Sequence, residues 1–425
     1  MDVHVISKAN NTKHATFQLP NPTTPLKPSS IRIRSSLLSL SSNNLSYALH
    51  GTRLAWWDTY PVPPSAPAPY NDPTEWGIVP AWGLATVLES TVPEITPGTA
   101  LYGFWPTSSR AVDLEIAPAE VEGHYKEVSA HRQTLMPIYN RLSIFDTQGK
   151  DLSELGWVVG GLRPIFMAGY VLSEYAFTPD PANHPPIHPL SGAIGEGSGW
   201  GAEDADLSKS VFVSLSASGK TARTVAFNFS QRPRSAGPLG LLQVTSLPGA
   251  LDEAAAKSKP GFPVWNVAYS ELETGAEWIA ALKPERIVIA DFGARDGALE
   301  KIHRIIEAME ELKGVRVVVL AVGNQQKVYT SEDIQAAQAS FASLNKQQFN
   351  TSPVVESAIR LTGMAKYQQE LQHRFNLLLE SRDSVAPDLR LVWGQGITGK
   401  DGLEGGWDAL SASQVKPDEA LLYHV

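Results

Sequence analysis

The chain has 425 residues, 43% hydrophobic and 19% charged, which supports two or three domains with a real core. Its net charge of −9 argues against nucleic acid or an anionic membrane as partner, because neither attracts an acidic surface. There is no cysteine, which removes disulfides, cysteine-ligated zinc, iron–sulfur clusters and thiol nucleophiles.

The N-terminal stretch MDVHVISKANNTKH lacks the apolar core of a secretory signal, and no apolar run reaches the roughly 18–20 residues of a spanning helix. A cytoplasmic protein acting on a small molecule is the expectation. The first part of the chain reads as β-structure: IRIRSSLLSL (31–40) alternates, WGLATVLES (82–90) is rich in β-formers, and ALYGFWPTSS (100–109) is a strand entering a loop. The proline-rich 61–73 is a surface excursion. Residues 178–206, almost all turn formers, are expected to be a long or partly disordered loop in which a lid role stays open.

From 211 the texture changes. Apolar strands at 211–216, 241–246, 286–291 and 315–323, and a shorter one at FPVWNV, alternate with helices at ASGKTARTVAFNFS, LDEAAAKS, SELETGAEWIAAL and 298–312. Such spacing predicts a doubly wound parallel sheet. Helices over 331–345 and 353–382, the strand LRLVWG (389–394) and a short helix at GWDALSASQ complete the reading.

A β-rich start, a central βαβ block and a returning tail resemble the layout of medium-chain dehydrogenase/reductases, in particular their zinc-free, quinone- and enoyl-reductase-like branch. SSLLSLSSNNLSYALHG (35–51) resembles that branch's strand followed by an Asn-containing active-site turn, and Pro97–Gly103 its Pro-Gly turn. More closely, Asn43–Ala48, Tyr102–Ser109, Pro137–Arg141, Arg163–Phe166, Ser216–Ala222 and Val415–Glu419 resemble a fungal and bacterial subfamily of that superfamily, known as a domain of unknown function. The resemblance implies a Rossmann-like α/β domain plus a β-rich GroES-like domain. The expected division is a substrate domain at 1–170, a nucleotide-binding domain at 171–345 with a loop insertion at 178–207, and a C-terminal segment, 346–425, returning to the substrate domain. It also implies a homodimer.

A dinucleotide fold needs glycines after its first strand, so that backbone amides at a helix N-terminus approach a pyrophosphate. The corresponding phrase is Ser216-Ala217-Ser218-Gly219-Lys220-Thr221-Ala222, which keeps one central glycine. Two readings stand side by side. In one, Ser216, Ser218, Gly219, Lys220 and Thr221 hold phosphate; in the other the turn keeps the fold without a cofactor. A P-loop is excluded because position 214 is serine. The second strand ends in Thr245-Ser246 without the carboxylate that holds an NAD ribose, which favours NADPH, with Ser246 and Lys220 near its 2′-phosphate. The resemblance adds Asp291 and Gly293 beside the nicotinamide ribose and Gly323 in the nicotinamide pocket, although each also fits a strand-end turn.

Zinc is not expected, and no pair of the ten histidines shows ligand spacing; His124, His131, His184 and His188 read as solvated. Without a metal, a reductase relies on hydride geometry and a polar group that supplies a proton. The resemblance implies Asn44 and Tyr47 as that catalytic pair, with the packing of the Tyr47 ring as the competing reading. Trp57, Tyr60, Trp105, Tyr139, Arg141 and Phe166 are candidate substrate contacts, each equally a core or ion-pair residue. Two functions follow: an NADPH-dependent, zinc-independent reductase of an enone or ketone in a secondary-metabolite-like molecule, or a cofactor-independent cyclase, isomerase or lyase on a polyketide-like substrate. A non-catalytic ligand-binding or partner protein is a third class.

Overall fold

The computed structural model describes every residue except Ala182, Gly195, Glu196 and Asp296, and every side chain but those and Gly161, Leu162 and Pro164. In chain order the strands are β1 (Asp2–Ser7), β2 (His14–Gln18), β3 (Ser30–Leu40), β4 (Trp76–Gly77), β5 (Ala81–Ser90), β6 (Ala100–Trp105), β7 (Val112–Pro118), β8 (His124–Glu127) and β9 (Arg141–Ile144). Then come β10 (Ser210–Leu215), β11 (Gly240–Thr245), β12 (Val264–Ala268), β13 (Arg286–Phe292), β14 (Arg316–Gly323), β15 (Gln347–Gln348), β16 (Arg390–Gln395) and β17 (Glu419–His424). The principal helices are α1 (Ser42–Leu49), α2 (Lys220–Ser230), α3 (Pro248–Ser258), α4 (Leu272–Ala281), α5 (Ala298–Ala308), α6 (Thr351–Thr362), α7 (Met364–Glu380) and α8 (Leu403–Ser411).

Two compact units result: Met1–Pro164 with Gln326–Tyr329 and Arg390–Val425, and Ile165–Gln325 with Thr330–Leu389. In the first, β3, β5, β6, β9, β8 and β7 pair in that order, and β7 pairs back onto β3, closing a barrel. β17 and β16 extend the sheet beyond β3, and β2-β1-β4 forms a separate small sheet. The barrel fills with alternate side chains such as Ile31, Ile33, Leu101 and Leu142.

The second unit is a six-stranded parallel sheet, β12-β11-β10-β13-β14-β15. Every residue of β10 and β11 is buried, the polar Ser214 and Gln243 included, as expected when helices cover both faces of a mainly apolar strand. The apolar stripe of α5, with Leu299, Ile302 and Ile306 at helical spacing, buries on this sheet. A methyl group at Gly169 would overlap Thr224, so the segment Arg163–Val171 crosses α2 at closest approach only because glycine stands there.

Three expectations change. The expected return at 346 falls instead at Arg390: α6 and α7 stay with the second unit, where Phe375 packs on Phe166 and Tyr367 on Tyr170 and Tyr175. The single helix expected over 353–382 breaks at Gly363, whose φ of 81° ends α6. The loop 178–206, described apart from Ala182, Gly195 and Glu196, is packed rather than loose. Trp200 is 2% exposed, donates its indole N–H to the Ala176 carbonyl at 2.7 Å and packs edge-on against Phe177. His188, expected to be solvated, accepts from the Leu190 and Ser191 amides through Nδ1.

A helical run over Leu152–Ala176, with π-turns at Trp157–Leu162 and Leu172–Ala176, was not expected, although Asp151 and Glu154 form a capping box at its start. Among the described residues no single helix is long and apolar enough to cross a membrane; only the bent pair Leu152–Gly160 and Ile165–Ala176 together reach that length and composition. Trp200→Ala is expected to cost about 3–5 kcal/mol in urea unfolding, from lost packing and an orphaned carbonyl, and to expose 178–206 to limited proteolysis.

Candidate functional site

The first candidate site lies where the strand order of the parallel sheet reverses. β10 sits between β11 and β13, so chain connections leave its C-terminal end in opposite directions, the place where doubly wound sheets bind nucleotides. β10 runs into Ser216, whose φ of 60° is left-handed, then Ala217, Ser218 and Gly219, and Lys220 opens α2. The turn is closed by Gly219 N–H donating to the Ser216 carbonyl at 2.9 Å and Ala217 N–H donating to Val244 of β11 at 3.0 Å. Among the described residues no side-chain cap bond is made at Gly219, the N-cap of α2, which leaves the first-turn amides and the positive end of its dipole suited to an anion.

The turn's hydroxyls divide. Ser218 is buried and hydrogen-bonded to Thr245 Oγ1 at 2.8 Å, while its carbonyl accepts from Arg223 Nε at 2.9 Å. Ser218 therefore fastens the turn to β11 and does not face a ligand, a correction to its expected phosphate contact. Ser216, Gly219, Lys220 and Thr221 are partly exposed. Ser216 is hydrogen-bonded by Tyr269, at the end of β12, whose phenol burial pushes up. Tyr269 went unnoticed because nothing in VWNVAY marks a tyrosine that folds back to the turn. At the end of β11 Thr245 is buried and Ser246 exposed, and no carboxylate is present.

Asp291 accepts from the Gly293 and Ala294 amides at 3.0 and 2.7 Å, building the turn after β13, and burial raises its pKa. Gly293 has φ 106°, and a methyl there would lie 2.5 Å from the Asn324 carbonyl. Gly323 pairs with Phe292 across a register shift in the same place. These three residues shape one strand-end corner.

The second candidate site is in the first unit. The segment read as an Asn-containing turn is helix α1, capped by Ser41, whose own amide donates to Asn44 Oδ1 at 2.8 Å. Asn44 is 2% exposed and donates to the Pro80 carbonyl at 2.9 Å. Its amide thus holds α1 to the chain before β5. One turn on, Tyr47 is buried; its hydroxyl accepts from Trp82 Nε1 at 3.2 Å and is hydrogen-bonded to the hydroxyl of half-buried Tyr139. The Tyr47 ring meets Trp56, Phe104 and Tyr139 edge-on, with centroids 4.8, 5.1 and 5.9 Å away. Burial pushes the Tyr47 phenol up to about 12 and that of Tyr139 well above its ordinary value, so both are protonated at neutral pH.

No curated protein sequence matches this chain. The family described as "Protein of unknown function (DUF2855)" matches residues 38–416. The chain belongs to that family. Its fold is that of the medium-chain dehydrogenase/reductases. CurA from Vibrio vulnificus, solved in complex with NADPH, is similar over 100% of this chain and 99% of its own, with 13% identity and a TM-score of 0.51. Escherichia coli quinone oxidoreductase complexed with NADPH matches over 100% of both chains at 12% identity and a TM-score of 0.50. The mitochondrial 2-enoyl thioester reductase Etr1p/Etr2p heterodimer from Candida tropicalis covers 100% of this chain and 99% of its own at 11% identity and a TM-score of 0.50.

The remaining candidates fall elsewhere. Trp57 is buried against Gly51 and Gly77 under the Lys8 ammonium, 5.4 Å from its ring. Trp105 is fully buried and donates to the Gly83 carbonyl at 2.9 Å. Phe166 lies in the second unit, packed on Phe227 and Phe375. For these three the core reading is the one the surroundings favour, and the substrate contact is withdrawn. Tyr60 donates its hydroxyl to the Phe104 carbonyl at 2.8 Å beneath the Arg132 guanidinium. Arg141 is half-buried in β9, near Glu120 and His124. Arg163 lies 4.6 Å from the Tyr102 ring. Among the described residues no group of three or more His, Asp and Glu gathers as metal ligands.

Because the Tyr47 phenol titrates higher folded than unfolded, its contribution to stability is constant below about pH 10 and is lost as pH rises between about 10 and 12, by about 2–3 kcal/mol. Tyr47→Phe reduces the alkaline slope by this one tyrosine's share, the other buried tyrosines keeping theirs, as measured by urea unfolding across pH.

Proposed function

We propose that the chain is an NADPH-dependent, zinc-independent reductase that reduces an enone or ketone of a small, secondary-metabolite-like molecule. The observation that carries the reading is the uncapped start of α2 at the reversal of strand order, beside a β11 that ends in Ser246 rather than a carboxylate. The neighbouring structures with NADPH bound support it through fold.

The residues fit such a cofactor in part. The amides of α2 and Lys220 suit a pyrophosphate, Ser216 with Tyr269 borders the turn, and exposed Ser246 leaves room for a 2′-phosphate where an aspartate would repel it. When bound, NADPH supplies a hydride. The chain supplies the proton and the orientation. Tyr139, half-buried and hydrogen-bonded to Tyr47, is assigned the hydroxyl that meets a carbonyl oxygen, while Trp82 fixes Tyr47. In place of the direct catalytic role first expected, Asn44 positions Tyr47 by capping α1. Arg141 is assigned to a charged or carbonyl part of the substrate.

A cofactor-independent cyclase, isomerase or lyase on the same scaffold is the second reading, favoured by serine in left-handed backbone at 216, where glycine would let a phosphate approach. Nucleotide titration followed by tryptophan quenching and thermal shift separates the two. NADPH is expected to bind at least tenfold more tightly than NADH, and Ser246→Asp to reverse that preference. Lys220→Ala weakens NADPH about tenfold. Gly219→Asp abolishes binding yet leaves the free protein's melting temperature unchanged or higher, since aspartate is a good helix cap. Absence of binding for either nucleotide at millimolar concentration rejects the reductase.

A further inference from the structure

The eight-stranded sheet of the first unit is closed at one end, where β7 pairs back onto β3, and open at the other, where among the described residues β16 pairs with β17 alone. A free strand edge is a template for another strand, and proteins commonly blunt it with lysine, proline or a bulge. β16 reads RLVWGQ, without lysine or proline, and keeps an unshifted register on β17. Val392 and Trp393 are 36% and 37% exposed. Leu391 and Trp393 share the face covered by the helical run, since a methyl at Gly156 would lie 2.8 and 2.7 Å from them. Leu152, one turn before Gly156, is itself exposed.

Hydrogen bonds fix which backbone groups face outward. Arg390 N–H donates to the Asp418 carbonyl at 2.8 Å, so Arg390, Val392 and Gly394 turn their amides and carbonyls to β17, and Leu391 and Trp393 turn theirs to the open edge. Gln395 also faces outward, but its amide is spent on the Asp401 carbonyl at 2.8 Å, which ends the free edge there. A second copy of β16 meets that pattern about a twofold axis at Val392. Leu391 then exchanges both backbone bonds with Trp393 of the second copy, symmetry repeats the exchange, and leucine packs on tryptophan. An axis at Trp393 would instead need the occupied Gln395 amide. Charge agrees with the first register. It sets Arg390, 58% exposed, opposite Gly394 of the second copy, and a methyl at Gly394 would lie 2.6 Å from the Asp401 carbonyl. Each Arg390 thus comes up to the exposed Asp401 of the other chain, while the two arginines stay at opposite ends of the ladder.

We infer that β16 is a self-docking edge, through which two copies of the chain join their first-unit sheets as antiparallel strands about an axis at Val392. The interface does not rest on the reductase reading.

Light scattering on the full chain measures its mass, and cysteine crosslinking measures the register. Twice the chain mass is expected. The chain has no cysteine, so Val392→Cys supplies a single thiol. Residues facing each other in a non-hydrogen-bonded antiparallel pair have Cα atoms about 4.5 Å apart, within disulfide reach, so mild oxidation is expected to link this variant as a dimer. Val128→Cys, exposed elsewhere on the same unit, is the control expected to stay unlinked. Val392→Lys sets like charges together at the axis and is expected to weaken the dimer at least tenfold. Asp401→Arg is expected to weaken it as well, and adding Arg390→Asp to restore it. A chain that stays monomeric at submillimolar concentration overturns the inference. So does a dimer that Val392→Lys leaves intact, or one in which Val392→Cys links no faster than Val128→Cys. Should the lysine variant fail to fold, the crosslinking comparison decides alone.

Discussion

One buried guanidinium holds the nucleotide turn in shape. Arg223, 2% exposed on the inner side of α2, donates from Nε to the Ser218 carbonyl at 2.9 Å and from Nη2 to the Asp388 carboxylate at 2.8 Å, and its Nη1 reaches the Val385 carbonyl at 3.4 Å. Dinucleotide turns usually rely on glycines for compactness. Here only Gly219 of those glycines is kept, with Ser216, Lys220 and Ala222 at the others, and compactness comes from polar ties: Arg223 pulls the turn down from the helix side and Thr245 holds Ser218 from β11. Removing a partner from a buried ion pair typically costs about 3–5 kcal/mol, several times what a single neutral hydrogen bond contributes. The turn therefore depends on Arg223 more than on any of its own side chains, and Ser216 can be kept in left-handed backbone because its neighbours are pinned.

The barrel unit uses the same device around its aromatic residues. Arg132 and Glu127 are both fully buried, 3.4 Å apart; Glu127 also accepts from the Ser129 hydroxyl, and Arg132 donates to Asn140 and to the Tyr139 carbonyl and lies over Tyr60. Tyr139 is thereby fixed through its backbone, and its hydroxyl is hydrogen-bonded to that of Tyr47 within the cluster. A phenol held in place and kept protonated by burial is a group that gives a proton without first being charged, which suits the quenching of a developing alkoxide or enolate.

How much was legible in the sequence follows from which signals are local. The parallel strands were readable because β10, β11 and β13 are mainly apolar, a pattern that burial on both faces favours. α1 was not readable as a helix: Ser41 and Asn44 looked like a loop, and only their mutual capping, with Asn44 in the third helical position, turns them into a helix start. The Gly- and Pro-rich stretch 178–206 looked loose because composition reports backbone freedom and not anchoring. Trp200 supplies the anchor through a contact with Ala176, a non-local fact that no local pattern contains. The unit boundary near 346 failed for a similar reason, since nothing in α6 or α7 says which sheet their buried faces will meet.

The candidate site residues divide along the same line. Residues picked for backbone reasons, Gly219, Asp291, Gly293 and Gly323, stand where strands end and turns tighten, since backbone demands are written locally. Residues picked for side-chain chemistry moved more: Ser218, Asn44, Trp57, Trp105 and Phe166 all spend their polar or apolar groups on the protein itself. A side chain whose hydrogen bonds are already met by its own fold has little left for a ligand, whereas one whose bonds are unmet carries a standing cost that something must repay. The bond inventory, which only the folded chain provides, decides between chemistry and scaffold.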